Sequence, residues 1–374
     1  MKQVLKVYDV KLTAEGPVYI GSGRSVGKKE YAYLPREKKI VVLEPSKLSR
    51  LLSKKGLVLE YGKFQLGSSR NDIGEWLRKN RVSEKEYLGC AKYSLDFGDV
   101  QMDRSKLEIQ EFIKDAYGMP YVPGSSIKGM IRTVLLAYDI GKNPEKYEMV
   151  KRQIVRKKGE KTGRTNFLKG EADGLEEIGY RTLQRPETRR GDAVNDCLSG
   201  MVVGDSEPLS TEDLILCQRT ELHVDGREKK MNVLREALRP GTVVSFPLTI
   251  DTGVCKVTKE ELENAIVYFS GMYENCFLKK FKGKFDFLEN RVWLGGGSGF
   301  VTKTEVYPLF GSEEGVEVTV DIWKGIGVKG EHGHGEDQKL GVSPHVCKVG
   351  YYRGKQYLVG SCLVKIVERG EGGR

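Results

Sequence analysis

Between residues 244 and 276 the apolar pattern of this chain changes period, and that change constrains its fold more than any other feature. Val244, Phe246, Leu248 and Ile250 alternate behind the Pro240-Gly241 turn, the spacing of one face of a strand. Thr258-x-x-Glu261 then forms a capping box, and Leu262, Ala265, Ile266, Phe269, Met272, Tyr273 and Cys276 follow at helical spacing. The same succession occurs earlier. Residues 4–20 alternate, Lys39 to Leu43 reads as a second strand, and EPSKLSRLLSKKG begins a helix at Pro45 with Leu48, Leu51 and Leu52 on one face and Gly56 as its stop. EIQEFIKD and MPYV read as strands around a turn at Tyr117-Gly118, with a short helix as the alternative. In PGSSIKGMIRTVLLAY, Ser125 is a good N-cap, and the spacing of Ile127, Ile131, Val134, Leu135 and Tyr138 predicts a helix from Ser126 to about Asp139. Leu198 to Val203 and Asp213 to Val224 follow as strands, and two or three strands close the chain. Strand and helix alternate without a long parallel βαβ repeat. The expected class is α+β in two domains, residues 1–225 and 226–374.

Composition excludes other classes. With 39% hydrophobic and 30% charged residues, the chain is too apolar to be disordered and too polar for a membrane bundle. MKQVLKVYDVKL alternates lysines with apolar residues, and no later run approaches the roughly 20 apolar residues that span a bilayer, so a cytoplasmic protein without membrane contact is expected. The seven cysteines are widely spaced and form no C-x-x-C pair, which favours small buried hydrophobes over a disulfide framework or zinc ribbon. Glycine is the outlier: 45 of 374 residues, about 12% against a usual 7% or so, gathered in short clusters.

Charge is equally uneven. The net charge is +10, and residues 151–190 hold twelve Lys/Arg against six acids. Glycines at 159, 163, 170, 174 and 179 and few large apolar residues mark this stretch, about 150–200, as an exposed insertion. Arg185, Arg189 and Arg190 are its candidate contacts to a polyanion; a plain solvated surface is the alternative.

Three glycine and cation clusters carry the functional reading. In GSGRSVGKK, Ser22 stands where a Walker A glycine is required and Lys29 replaces the magnesium-binding hydroxyl; the segment after Gly27 reads as a strand, which excludes a Rossmann loop. No nucleotide cofactor is expected. There remains a backbone of Gly21, Ser22 and Gly23, flanked by Arg24, Lys28 and Lys29, that can approach phosphate. At the second cluster Lys128 sits in the first helical turn and Arg132 four residues on. A cation there is unfavourable by about 0.3–1 kcal/mol and a like-charge pair by about 0.2–0.5 kcal/mol. A bound anion would reverse both signs, making Ser125, Ser126, Lys128 and Arg132 a phosphate-binding end. LGGGSGFVTKT repeats the chemistry with Gly295, Gly296, Gly297, Ser298 and Gly299 between Arg291 and Lys303. A flexible loop, two surface cations and a tight packing loop are the respective alternatives. His332, His334 and His345 with nearby acids could bind metal, but HGHGED has no regular element to fix them, so a solvated loop and no metal are expected; His223 reads as structural.

YVPGSSIKGMIRTVLL (Tyr121 to Leu136) resembles the signature of the RAMP proteins, the repeat-associated RNA-binding subunits of type III CRISPR effector complexes. GPVYIGSGRSVGKKEYAYL and RVWLGGGSGFVTKT sit where that family has its first and its C-terminal glycine loops. Order, spacing and length are most similar to the tail-end backbone subunits of type III-A (Csm) complexes. The resemblance implies two ferredoxin-like (RRM-like) domains and binding of the 3′ portion of the crRNA. It further implies stacking on the repeated third Csm subunit and support of crRNA maturation without nuclease activity. Guide-backbone contacts would fall on Gly21 to Arg24, on Ser125, Ser126, Lys128 and Arg132, and on Gly295 to Gly299 with Lys303. The basic insertion would correspond to a thumb-like hairpin at the guide–target duplex. Relatives often carry His where Tyr19 stands, and the catalytic Asp of cleaving backbone subunits has no counterpart. A metal-dependent RAMP endoribonuclease, the 5′-handle subunit and recruitment of a host nuclease remain open.

Overall fold

In the computed structural model the described residues are 5–68, 72–100, 108–157, 167–281, 285–328 and 333–369. The strands are β1 (Leu5–Ala14), β2 (Gly21–Val26), β3 (Tyr31–Leu34), β4 (Lys39–Leu43), β5 (Ala91–Asp96), β6 (Ile109–Phe112), β7 (Met201–Val203), β8 (Leu214–His223), β9 (Glu228–Leu238), β10 (Val243–Asp251), β11 (Arg291–Trp293), β12 (Val346–Tyr352), β13 (Lys355–Leu358) and β14 (Ser361–Glu368). The helices are α1 (Pro45–Lys54), α2 (Val58–Leu66), α3 (Ile73–Lys79), α4 (Glu84–Leu88), α5 (Gly124–Lys142), α6 (Glu148–Arg156), α7 (Lys169–Tyr180), α8 (Lys259–Cys276), α9 (Val306–Gly325) and α10 (Asp337–Leu340). The class is mixed α+β, as expected. No helix of the described residues is long and apolar enough to cross a membrane.

Strands β11-β14-β1-β10-β7 form a wholly antiparallel sheet. Alternation puts Val10, Leu12, Phe246 and Leu248 on one face, where they meet Ile131 and Val134 of α5 and Leu262 and Ile266 of α8. Thr258 caps α8: its Oγ1 accepts the Glu261 amide at 3.1 Å, one of the two bonds of the expected capping box. The second sheet runs β2-β6-β9-β8-β5-β4-β3, and β12 joins the far end of β8. The expected boundary at residue 225 falls in the turn between β8 and β9, and each sheet draws strands from both sides of it. Buried Glu236 accepts the Phe112 amide at 2.9 Å and pairs with Lys114, which fixes β6 beside β9. All seven cysteines are free, and only Cys197 among them is not buried.

Several expectations are corrected. GSGRSV is not a loop: it is the edge strand β2, paired with β6 through an irregular register between Gly21 and Ser25. Of the strands expected around Tyr117, only β6 is a full one; beyond it Lys114 and Pro120 form a single bridge. The N-cap of α5 is Pro123, with Ser125 and Ser126 inside the first turn. The insertion is not wholly exterior. Val150 and Ile154 of α6 with Leu175 and Tyr180 of α7 enter the main core, while Val155 and Val194 stay exposed; Lys158, Lys161 and Arg164 lie outside the described residues. Helices α2 to α4, unforeseen, build a second core of Phe64, Trp76, Leu77 and Val82 with Leu48 and Leu52 over β3 and β4. The closing segment contains α9, interrupted at Gly311 by a non-helical φ of 69° and ψ of −165°, besides three strands. Val316, Val318 and Val320 alternate like a strand, but packing against α5 and α8 selects helix.

Candidate nucleic-acid interface

The first and third glycine clusters meet at Tyr19. The Tyr19 carbonyl accepts the Gly296 amide at 2.8 Å, and the Leu294 amide donates to the Gly360 carbonyl at 2.8 Å, which lays the glycine loop against the start of β2. Gly295 holds φ +82° with its missing Cβ aimed 2.2 Å from the Tyr19 carbonyl oxygen, so no side chain fits there. Above Tyr19 the Arg235 guanidinium lies 4.7 Å from the ring centre. Arg235 Nε donates to Gln110 Oε1 at 2.8 Å and Nη1 to the Gly296 carbonyl at 3.4 Å. Burial raises the Tyr19 phenol pKa and lowers that of Arg235. Gly21, Gly23 and Arg24 are exposed along β2, with Ser22 half-buried and its Oγ accepting the Arg24 amide.

More cations border this junction. Lys348 approaches Gly299, and Glu221 pairs with both Lys348 and Arg219. Burial pushes the Glu221 pKa up, but its two cations win and hold it down at about 2. Lys303 is solvent-exposed at its flank; local desolvation and then Arg235 lower its pKa. Ser298 is buried, its hydroxyl 2.9 Å from that of Thr302.

The second cluster joins the third through a cavity of about 650 Å³, where Gly129, Arg132 and Thr133 of α5 face Phe300, Lys303 and Trp323. Its cations, however, are engaged within the chain. Lys128 Nζ donates to the Leu198 and Met201 carbonyls at 2.7 Å each, and burial lowers its pKa. Arg132 pairs with Asp196 at 2.6 Å and Glu176 at 2.7 Å and lies over the Tyr180 ring. The Gly124 amide donates to Asp205 Oδ1 at 2.7 Å. Internal oxygens thus balance the like-charged pair and no anion is required. Ser125 is exposed and Ser126 half-buried on the same turn.

Two further expectations change. Arg291 is 2% exposed and bound by two hydrogen bonds of 2.7 Å to Glu15, a structural ion pair rather than an RNA contact. Lys29 Nζ donates to the Gln65 and Gly67 carbonyls at the end of α2, and the Lys28 carbonyl accepts the Ile73 amide. In the insertion Arg185 donates to the Val194 carbonyl, while Arg189 and Arg190 remain exposed.

In the described part of the histidine segment Gly333, Gly335 and Glu336 are exposed, but half-buried His334 and buried Asp337 tie it to the fold. His334 and His345 converge on fully buried Asp337 at 2.9 and 2.6 Å, and the His223 ring lies 5.5 Å from that of His345. Burial would raise the Asp337 pKa; the hydrogen bonds from both imidazoles and Ser343 leave it lowered. His332 lies outside the described residues. Sequence reasoning missed Arg219, Arg235 and Lys348. Arg219 lies on β8, which was read as a strand without weighing its cation, whereas Arg235 lies on β9, whose segment was not read as a strand, and Lys348 on β12 near the end of the chain.

The family model described as the RAMP superfamily matches residues 11–301. The chain therefore belongs to the RAMP superfamily. Within it, the chain is similar to proteins called "CRISPR system Cms protein Csm5". That of Mycobacterium tuberculosis strain H37Rv is 31% identical over 337 residues, covering 82% of this chain and 85% of the relative. That of Streptococcus thermophilus is 26% identical over 329 residues, covering 84% of each. A chain in the cryo-EM structure of a type III-A Csm-crRNA-target RNA ternary complex shares the fold with TM-score 0.64 and 21% identity, covering 96% of this chain and 100% of the other. The crystal structure of T. onnurineus Csm5 gives TM-score 0.60 at 18% identity, covering 94% and 99%.

Proposed function

We propose that this chain is a crRNA-binding, non-catalytic backbone subunit of a type III-A Csm complex that caps the 3′ portion of the guide and supports its maturation. The observation that carries this reading is the meeting of the Gly21 strand and the Gly295–Gly299 loop beneath Arg235, whose guanidinium has no carboxylate partner among the described residues. Backbone amides and guanidinium read phosphate irrespective of base, which suits a protein that accepts many guides. The relatives named Csm5 and the likeness to a subunit of a Csm-crRNA-target RNA complex support it.

In this reading RNA runs along Gly21, Ser22, Gly23 and Arg24, across Arg235 to Gly295–Gly299 and Lys303, and past the exposed Ser125. The guide–target duplex meets Arg185, Arg189 and Arg190, and the third Csm subunit packs alongside. One RRM-like unit is the antiparallel sheet. Taking β1, α5, β7, β10, α8 and β14 in chain order, the sheet order β14-β1-β10-β7 is the βαββαβ arrangement with both helices on one face, assembled from both chain ends.

Filter binding of labelled crRNA across a salt series tests the proposal. Arg235→Glu and Tyr19→Ala should weaken binding, and wild-type affinity in Arg235→Glu would overturn it. Labelled RNA should survive incubation with or without EDTA; metal-dependent cutting would favour the endoribonuclease reading instead.

A further inference from the structure

A cavity of about 650 Å³ lies beside the glycine loop, and one face of the second sheet forms its floor. Period-two alternation turns Arg219 and Glu221 of β8 to that face, and antiparallel pairing sets Lys229 of β9 and Lys348 of β12 on either side of Glu221. The β8–β9 register shifts between Gln218 and Thr220, so Arg219 stands at an irregularity of the kind that re-aims a side chain. Phe300 and Trp323, 4.8 Å apart between ring centres, supply an apolar wall.

Charge in this cavity is unbalanced. Apart from imidazoles, its charged lining residues among those described are Arg219, Lys229, Lys348 and Glu221, three cations against one carboxylate, a surplus of two positive charges. Glu221 is already divided between Arg219 Nη2 at 2.9 Å and Lys348 Nζ at 2.5 Å. Arg219 Nε is buried without a hydrogen-bond acceptor, a cost that an oxygen ligand would remove. Burial, with Arg219 adding repulsion, lowers the Lys348 pKa in spite of Glu221.

We propose that this cavity binds a phosphomonoester of a nucleotide, with its phosphate at Arg219 and Lys348 and its ribose or base against Phe300 and Trp323. The surplus of charge selects the ester: a phosphomonoester carries about −1.5 to −2 at pH 7, an internal phosphodiester of a strand about −1. Cavities of about 300–1,000 Å³ are those of small ligands, so the volume suits one nucleotide rather than a run of them. Its source is either the phosphorylated end of a bound RNA or a free mononucleotide. The first source rests on the reading above, in which the guide reaches Gly299, the residue that Lys348 approaches.

Equilibrium binding to the full chain at pH 7 tests the proposal with three ligands: an oligoribonucleotide carrying a 3′-phosphate and a 5′-hydroxyl, its isomer carrying a 5′-phosphate and a 3′-hydroxyl, and adenosine 3′-monophosphate. The isomers have the same total charge, so general attraction to a basic protein cancels. The 3′-phosphorylated isomer should bind about tenfold tighter, the effect of one added hydrogen bond to a charged group, and Arg219→Gln and Lys348→Gln should abolish that ratio. Arg235→Gln should weaken both isomers and leave the ratio. Mononucleotide binding without a 3′ advantage would support the site and assign it to free nucleotides, while a 5′ advantage would support the site and overturn the 3′ capping reading. Equal isomers with no mononucleotide bound, or a 3′ advantage that survives in folded Arg219→Gln and Lys348→Gln, would overturn the proposal. The isomer ratio is read on wild type, so a variant that fails to fold does not remove the test.

Discussion

Arg291→Met separates a structural arginine from an RNA-binding one. The guanidinium is 2% exposed; Nε and Nη2 donate to the two Glu15 carboxylate oxygens at 2.7 Å each, and Nη2 also reaches the Asp286 carbonyl at 2.8 Å. Removing one member of a buried pair costs about 3–5 kcal/mol, because the remaining charge loses its compensation. The Glu15 side chain keeps 26% exposure, so water recovers part of its charge. The low end, about 3 kcal/mol, therefore applies. At about 2 °C per kcal/mol, the lower value for large domains, the melting temperature should fall by about 6 °C. Circular dichroism on heating measures it, and Glu15→Gln in the same background should recover part of the loss, as a positive coupling in the double-mutant cycle. RNA affinity at 25 °C should be unchanged. An unaltered melting curve with weakened RNA binding would refute the reasoning.

Arg235→Gln should act in the opposite sense: a near-native melting temperature, weaker crRNA binding, and a log–log salt slope shallower by about 0.7, the loss of one phosphate contact on a single strand. Gly295→Ala forces a Cβ toward the Tyr19 carbonyl at φ +82°; backbone strain of about 1–3 kcal/mol is the least it should lose in a chemical-denaturation series, and the loop must shift. Lys128→Glu with Arg132→Glu should unfold the α5 surroundings, since the new carboxylates face Asp196, Glu176 and two carbonyls; a folded double variant by circular dichroism would contradict this. For Glu221 the folded pKa of about 2 lies below the ordinary 4.5, so its stabilisation is complete above pH 4.5 and is lost as pH falls toward 2. Glu221→Gln should lower stability at neutral pH and flatten the acid side of the pH–stability curve.

The strands and helices legible in the sequence were those whose own side chains repeat: β10, α8, α1 and the inward face of α5. Those that escaped depend on neighbours. Helix α9 carries Val316, Val318 and Val320 at strand spacing with Gly311 at φ +69°, and it packs against α5, α8, α10 and α6, contacts that its own pattern does not announce. Edge strand β2 is glycine-rich and exposed, so nothing in GSGRSV itself signals pairing with β6. The acid partners of Arg132 and Arg291 lie 44, 64 and 276 positions away. A local reading of charge sees the cation and not its counterion.

That asymmetry decides which basic residues can serve a polyanion. A cation already paired with a carboxylate must give up that partner before it gains a phosphate, and the exchange yields little net attraction. Lys128 is half-buried with its ammonium spent on two backbone carbonyls, whereas Arg132 and Arg291 meet this condition through Glu176, Asp196 and Glu15, which removes the two arginines from the strong end of the interface despite their place in or beside the glycine motifs. Arg235 does not: its bonds go to an amide oxygen, a backbone carbonyl and a ring face, all neutral. Its charge is held in place but not cancelled, over the point where Tyr19, Gly296 and the start of β2 converge. If guide phosphates cross this molecule at the junction of its two glycine segments, the largest single loss on charge reversal should therefore come from Arg235, a residue outside all three sequence motifs.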